Sequence, residues 1–172
     1  DFTDDGNSLL VQRVLSVADS RVYLLDIANG QQRLLAGSED TPSANRAVVL
    51  DRKNEGFYLI SNARGLGAEL AWQSLLPGSE AQYISGDIPW DVSEFALSPD
   101  GRRGAFITNE DGISQLYLLN TRSNRFSLVS NMPPGVLSHL SFNQDNRRLA
   151  MTLSTAQTPN DVFVMDAWGK DR

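Results

Sequence analysis

The sequence predicts an all-β fold, a β-propeller fragment of about four four-stranded blades that is incomplete at both ends. Three observations predict it. A turn signature flanked by apolar runs recurs along the chain, and a second apolar element travels with it at nearly constant spacing. The middle runs of each repeat are near-continuously apolar, as strands covered on both faces must be.

The clearest copy of the first element is "VSEFALSPDGRRGAFIT", from Val92 to Thr108, where Pro99 pre-sets φ for the turn and Gly101 accepts φ > 0 without a Cβ clash. It aligns with "LSHLSFNQDNRRLAMTL", Leu137 to Leu153, which puts Leu97 over Phe142, Asp100 over Asp145 and Arg102-Arg103 over Arg147-Arg148. A weaker copy runs from Arg46 to Ser61, and a truncated one, "DFTDDGNSLLV", opens the chain. The second element reads "RVYLLD" from Arg21, "ELAWQS" from Glu69, "QLYLLN" from Gln115 and "DVFVMD" from Asp161. After three of these comes a polar turn and a fourth apolar run, in "IANGQQRLLA", "LPGSEAQYIS" and "TRSNRFSLVS". Each repeat is therefore strand, turn, strand, loop, strand, turn, strand, the signature of propeller blades at roughly 45 to 50 residues each.

The expected blades are 1–45, 46–91, 92–136 and 137–172. "GAELAWQSLL", Gly67 to Leu76, offers apolar residues to one helical face, but it aligns with the third strand of the other repeats and is read as strand. The first repeat lacks most of its innermost strand and the last stops after its third, so an arc of a larger ring is expected. A small four-bladed ring, or an assembly in which open blade edges self-associate, is the rival.

Composition excludes several classes. Lys and Arg number 15 against 21 Asp and Glu, a net charge of −6, which argues against a nucleic-acid partner held by counterion release. The basic pairs each follow a turn and are read as solvated strand ends. No apolar run approaches the roughly 20 residues that span a bilayer, so no membrane partner is expected. Cysteine is absent, which removes thiol nucleophiles and Cys-based metal sites but fits a bacterial cytoplasm and a periplasm equally. The sequence opens at "DFTDDG" with no basic n-region and no apolar h-region, so no secretory signal is visible in it.

Candidate chemistry is sparse. The one histidine, His139, falls on the expected innermost strand of the last repeat, in register with Glu94 of the preceding one, and both are read as tunnel-lining residues. No G-x-S-x-G elbow occurs, so no Ser-His-Asp triad, and no catalytic residue, is assigned. Asp1, Asp4 and Asp5 near Gly6 faintly suggest an oxygen-rich calcium loop, but the later bidentate Glu is missing and the segment matches the repeated turn. "RGLG", Arg64 to Gly67, lacks the strand and helix context of a phosphate cradle. No metal or cofactor is expected. Trp72 is read as core, Trp90 as the best candidate for an exposed recognition aromatic, and Trp168 as unassigned.

These residues resemble a known family. "ALSPDGRRGAFITNEDGISQLYLLN" is similar to the blade repeat shared by TolB and the propellers of the prolyl oligopeptidase (S9) family of serine peptidases. "NRRLAMTLSTAQTPNDVFVMDAWGK", Asn146 to Lys170, resembles the last propeller blade of acylaminoacyl-peptidase and dipeptidyl-aminopeptidase-like members. There a Ser/Thr-rich loop, a proline and an x-D-V-Y-V-x-D strand precede the hydrolase domain. Ser154, Thr155, Thr158, Pro159, Asp161 and Asp166 carry that likeness, and "LISNARGLGAELAWQSL" resembles another blade of the family. The resemblance implies a non-catalytic N-terminal propeller that gates short peptides to an α/β-hydrolase domain following Arg172. Its partners would be that domain and the peptides. No propeller glutamate of the amine-binding kind is matched, so Glu55, Glu69 and Glu94 take no such role. A TolB-like protein-binding propeller without an enzymatic domain is the alternative.

Overall fold

Four turns of one design organise the chain, and each is built by its first residue. Thr3, Asp51, Ser98 and Asn143 each use a side-chain oxygen to accept backbone N–H groups a few residues on, at 2.8 to 3.1 Å, while the residue three later turns left-handed. That later residue is Gly6, Asn54, Gly101 or Asn146, with φ between 56° and 70°, the types that tolerate this region at least cost. The computed structural model describes residues 1–167, and among them it contains no helix.

The strands are β1 (Ser8–Ser16), β2 (Asp19–Asp26), β3 (Gln32–Ala36), β4 (Asn45–Leu50), β5 (Gly56–Ser61), β6 (Glu69–Ser74) and β7 (Gln82–Tyr83). They continue as β8 (Val92–Leu97), β9 (Arg103–Glu110), β10 (Ile113–Asn120), β11 (Arg125–Leu128), β12 (Val136–Phe142), β13 (Arg148–Ser154) and β14 (Asp161–Asp166). They form four antiparallel meanders, β1-β2-β3, β4-β5-β6-β7, β8-β9-β10-β11 and β12-β13-β14. The all-β partial propeller is thus observed: among the described residues the middle sheets have four strands, and the first and last have three. The Gly67–Leu76 stretch is strand β6, as its repeat register required.

The chain divides into two units, 1–89 and 90–172. In the first, Leu10 and Val22 of one sheet meet Leu50, Phe57, Leu59 and Ala71 of the next. Gly56 passes directly beneath Trp72, where a Cβ would run into the indole ring, and the Trp72 Nε1–H donates to Asp51 at 3.1 Å. In the second, Ala105, Ile107, Leu116 and Leu118 of one sheet pack on Leu137, Leu149, Met151 and Leu153 of the other. Phe106, Tyr117 and Phe126 form a stacked and edge-on trio, with centroids 4.9 to 5.7 Å apart.

The strand apolarity has two forms. Strand β5 is buried at every residue, whereas β13 alternates, with Leu149, Met151 and Leu153 buried and the residues between them less so. "LAMTL" is therefore a strand with one closely packed face, not the continuously covered strand its sequence suggests.

Candidate functional site

The candidate site lies on the first strands of the sheets, where Glu94 and His139 were expected to share a surface. In the second unit, the Glu94 carboxylate of β8 accepts the backbone N–H of His139 at 2.9 Å through Oε2 and that of Leu140 at 2.6 Å through Oε1. Both donors belong to a bulge in β12, where pairing with β13 slips between Ser138 and Ser141 and His139 takes φ 57°. The bulge turns these N–H groups away from β13, and the carboxylate of the neighbouring sheet replaces the missing ladder bonds.

The two residues therefore meet through the His139 backbone, and the His139 ring projects to solvent. Its Nδ1 lies 2.9 Å from Ser138 Oγ. Among the described residues no carboxylate bonds to the ring, so nothing orients it as a general base would need. Glu94 acts as a positioning group for the bulge that presents Ser138 and His139.

The other singled-out residues have structural partners. Asp5 accepts the Thr3 hydroxyl at 2.6 Å and the Asn7 amides, and these bonds, the Thr3 hydroxyl first, hold its carboxyl below the ordinary aspartate range. In the "SPDG" turn, partial burial would raise the Asp100 carboxyl. The Ser98 hydroxyl at 2.7 Å, the Arg102 N–H and the charges of Arg102 and Arg103 outweigh it and hold Asp100 low. The Asp100 N–H donates to Asn146 Oδ1 at 2.9 Å, which ties this turn to its equivalent in the next sheet. Trp90 is exposed, and Trp168 lies outside the described residues.

Sequence reasoning passed over two features. Glu69, at the head of β6, is 4% exposed. Its Oε1 pairs with Arg64 of the "RGLG" loop at 3.3 Å, its Oε2 has no partner among the described residues, and the Arg64 guanidinium also lies over the Tyr83 ring. Arg64 thus closes the loop onto its own sheet. The second feature is Asn45, buried at the first-unit junction. Its amide donates to the Ser20 carbonyl at 2.9 Å and to the Ser43 carbonyl and hydroxyl, and its Oδ1 accepts the Ser61 hydroxyl at 2.7 Å.

Searches of the sequence against protein-family models and against curated proteins find no match. Solved structures do match in fold. One of two prolyl endopeptidases studied for inter-domain dynamics superposes with a TM-score of 0.79 at 14% identity, over 99% of this chain and 25% of that one. Prolyl oligopeptidase B from Galerina marginata gives 0.78 at 12% identity, over 99% of this chain and 24% of that one. TolB from Acinetobacter baumannii gives 0.74 at 15%, over 98% and 40%. The chain spans about a quarter of the prolyl oligopeptidases and two fifths of TolB. At these identities the likeness is one of fold.

Proposed function

We propose that this chain is a non-catalytic propeller arc of a serine peptidase of the prolyl oligopeptidase family, which restricts access to a hydrolase domain carried by the longer parent protein. The observation that carries the reading is the segment from Ser154 to Asp166. There the Ser/Thr-rich loop, Pro159 and the "DVFVMD" strand follow the pattern of a propeller blade bordering a hydrolase domain. In the fold this segment is a closed turn: Thr155 Oγ1 accepts the Gln157 and Thr158 N–H groups, and the chain then enters β14. The fold likeness to two prolyl oligopeptidases over nearly the whole chain is consistent with it.

In this reading the propeller selects by size and excludes water from the cleft it covers. No G-x-S-x-G elbow occurs in the sequence, and among the described residues the His139 ring is hydrogen-bonded to Ser138 and to no carboxylate, which fits a propeller that leaves the chemistry to the hydrolase domain. The test is to treat the full-length parent with a fluorophosphonate serine probe and map the adduct by mass spectrometry. A labelled G-x-S-x-G serine beyond Arg172 is the expected result, and a folded, unlabelled parent overturns the reading.

The likeness to TolB over 98% of the chain favours a second reading, a propeller that binds a protein partner with no enzymatic domain. The unlabelled outcome of the same experiment selects it.

A further inference from the structure

The turn between β2 and β3 reads "IANGQQ", Ile27 to Gln32, and every one of these residues is exposed. Asn29 is followed by Gly30, whereas every other asparagine of the chain is followed by a residue with a side chain. A glycine nitrogen reaches a neighbouring carbonyl carbon with least hindrance. Nothing lies within 4 Å of the place a Gly30 Cβ would occupy, so the surroundings do not block the approach either.

The turn also prepares the electrophile. Asn29 Oδ1 accepts the Gln31 N–H at 2.8 Å, an Asx turn that folds the side-chain amide back along the backbone of the next two residues. The same N–H polarises the carbonyl and stabilises negative charge that develops on Oδ1. One bond opposes reaction, the Gly30 N–H donating to the Asp26 carbonyl at 2.9 Å. It belongs to an exposed turn, and such turns open locally at small free-energy cost.

Three Asp-Gly pairs, at Asp5, Asp100 and Asp111, have the same backbone opportunity but a poorer electrophile. At neutral pH an aspartate presents a carboxylate, which resists attack by an amide nitrogen. Asp5 and Asp100 are held below the ordinary aspartate range and stay ionised well into acid. The Asn29 side chain is an uncharged amide that can lose ammonia.

We infer that Asn29 is a modification site, at which the chain converts itself through a succinimide to aspartyl and isoaspartyl forms with water as the co-reactant. The Gly30 amide gives its proton to solvent base, and its nitrogen bonds to Asn29 Cγ. The Cγ–Nδ2 bond then breaks, and the amide nitrogen takes a proton from water and leaves as ammonia. Water opens the imide at either carbonyl. Opening at Cγ restores the ordinary backbone with an acidic side chain, and opening at the Asn29 backbone carbonyl leaves a main chain lengthened by a methylene. Either product adds negative charge to a chain already at −6. The lengthened form no longer fits the turn bonds, Asp26 N–H to the Gln31 carbonyl at 2.8 Å and Gly30 N–H to the Asp26 carbonyl, so β3 is loosened on β2. None of this depends on the peptidase reading.

The test is peptide mapping of the folded protein held in mildly alkaline buffer, beside a synthetic peptide of residues 22–33. Trypsin, cutting after Arg21 and Arg33, isolates Asn29 as the sole asparagine of its fragment, and the next fragment, ending at Arg46, carries the buried Asn45 as an internal control. The expected result is a progressive mass gain of one amide-to-acid conversion in the 22–33 fragment, with isoaspartyl product in excess and Asn45 unchanged. Its rate should lie within about tenfold of the free peptide, as an exposed turn that opens readily allows. A folded protein in which Asn29 stays intact, or converts more slowly than that limit, overturns the inference, as does an aspartyl product without the isoaspartyl form. Labelling of the parent by the serine probe is unaffected by any of these results.

Discussion

The two units solve one structural problem with opposite chemistry. Asn45 and Leu137 open the first strands of their sheets at equivalent places, and each receives the same hydroxyl from the preceding sheet. The Asn45 N–H donates to Ser20 Oγ at 2.7 Å, and the Leu137 N–H to Ser114 Oγ at 3.0 Å. Beyond that shared bond they diverge. Asn45 is 2% exposed and joins Ser20, Ser43 and Ser61 through its amide, whereas Leu137 simply enters the apolar core. The lesson is that both junctions keep the backbone-to-serine bond, while the side chain beside it can be polar where its polar atoms find partners.

This comparison breaks most readily at Asn45. Asn45→Leu, which copies the second unit's solution, is expected to destabilise the first unit by about 3 kcal/mol, because the Ser20 carbonyl and the Ser43 hydroxyl lose the Asn45 donor and the Ser61 hydroxyl loses its acceptor in a buried place, the Ser43 carbonyl keeping only the Ser20 N–H. Urea unfolding, with hydrogen exchange to localise the loss to residues 1–89, measures it. A neutral substitution would show that the network contributes nothing beyond packing.

A smaller effect is expected at Glu94, whose equivalent in the first unit is Ala47. Glu94→Ala should cost about 2 kcal/mol and speed exchange of the His139 and Leu140 amides, while Glu94→Gln, which keeps one acceptor, should lose about half of that. Smaller again is Asn146→Ala, at about 1 kcal/mol, from a left-handed φ of 62° and the lost bond to Asp100. Asn146→Gly relieves the first part and should fall below it in a thermal melt.

The smallest effects are those of pH, and their signs differ. The Asp100 carboxyl is held below its ordinary 3.8, so its contribution is present above that value and is lost as pH falls through it and beyond. The melting difference between wild type and Ser98→Ala should therefore shrink in acid. Burial and then the Glu110 carboxylate, 3.0 Å away, push the Tyr117 phenol above its ordinary 10.0. Its contribution is full below pH 10 and lost above, so Tyr117→Phe should converge with wild type only in strong alkali.

The sequence made the turns and strands legible because each repeat carries its own punctuation: a side chain that accepts backbone N–H groups, then Gly or Asn three residues on. The register even placed Glu94 beside His139. It did not show that their meeting is between a carboxylate and backbone amides, because a bulge depends on cross-strand pairing that no single repeat displays. Asn45 was invisible for a related reason. In "SANRAVVL" it reads as a loop residue before an apolar strand, and only the neighbouring Ser20 and Ser61, far along the chain, make its burial tolerable. Glu69 was hidden likewise, since its partner Arg64 belongs to the "RGLG" segment, which reads in sequence only as a glycine-rich loop.

The meander order of the four sheets reaches beyond packing to the route by which the chain folds. Every strand pairs only with its neighbours in sequence, so each hairpin closes a short loop and contacts between sheets extend a nucleus stepwise. Such a chain behaves as a one-dimensional array: its cooperativity comes from nearest-neighbour junctions, and segments of about 46 residues can be gained or lost by duplication or deletion without rewiring a sheet.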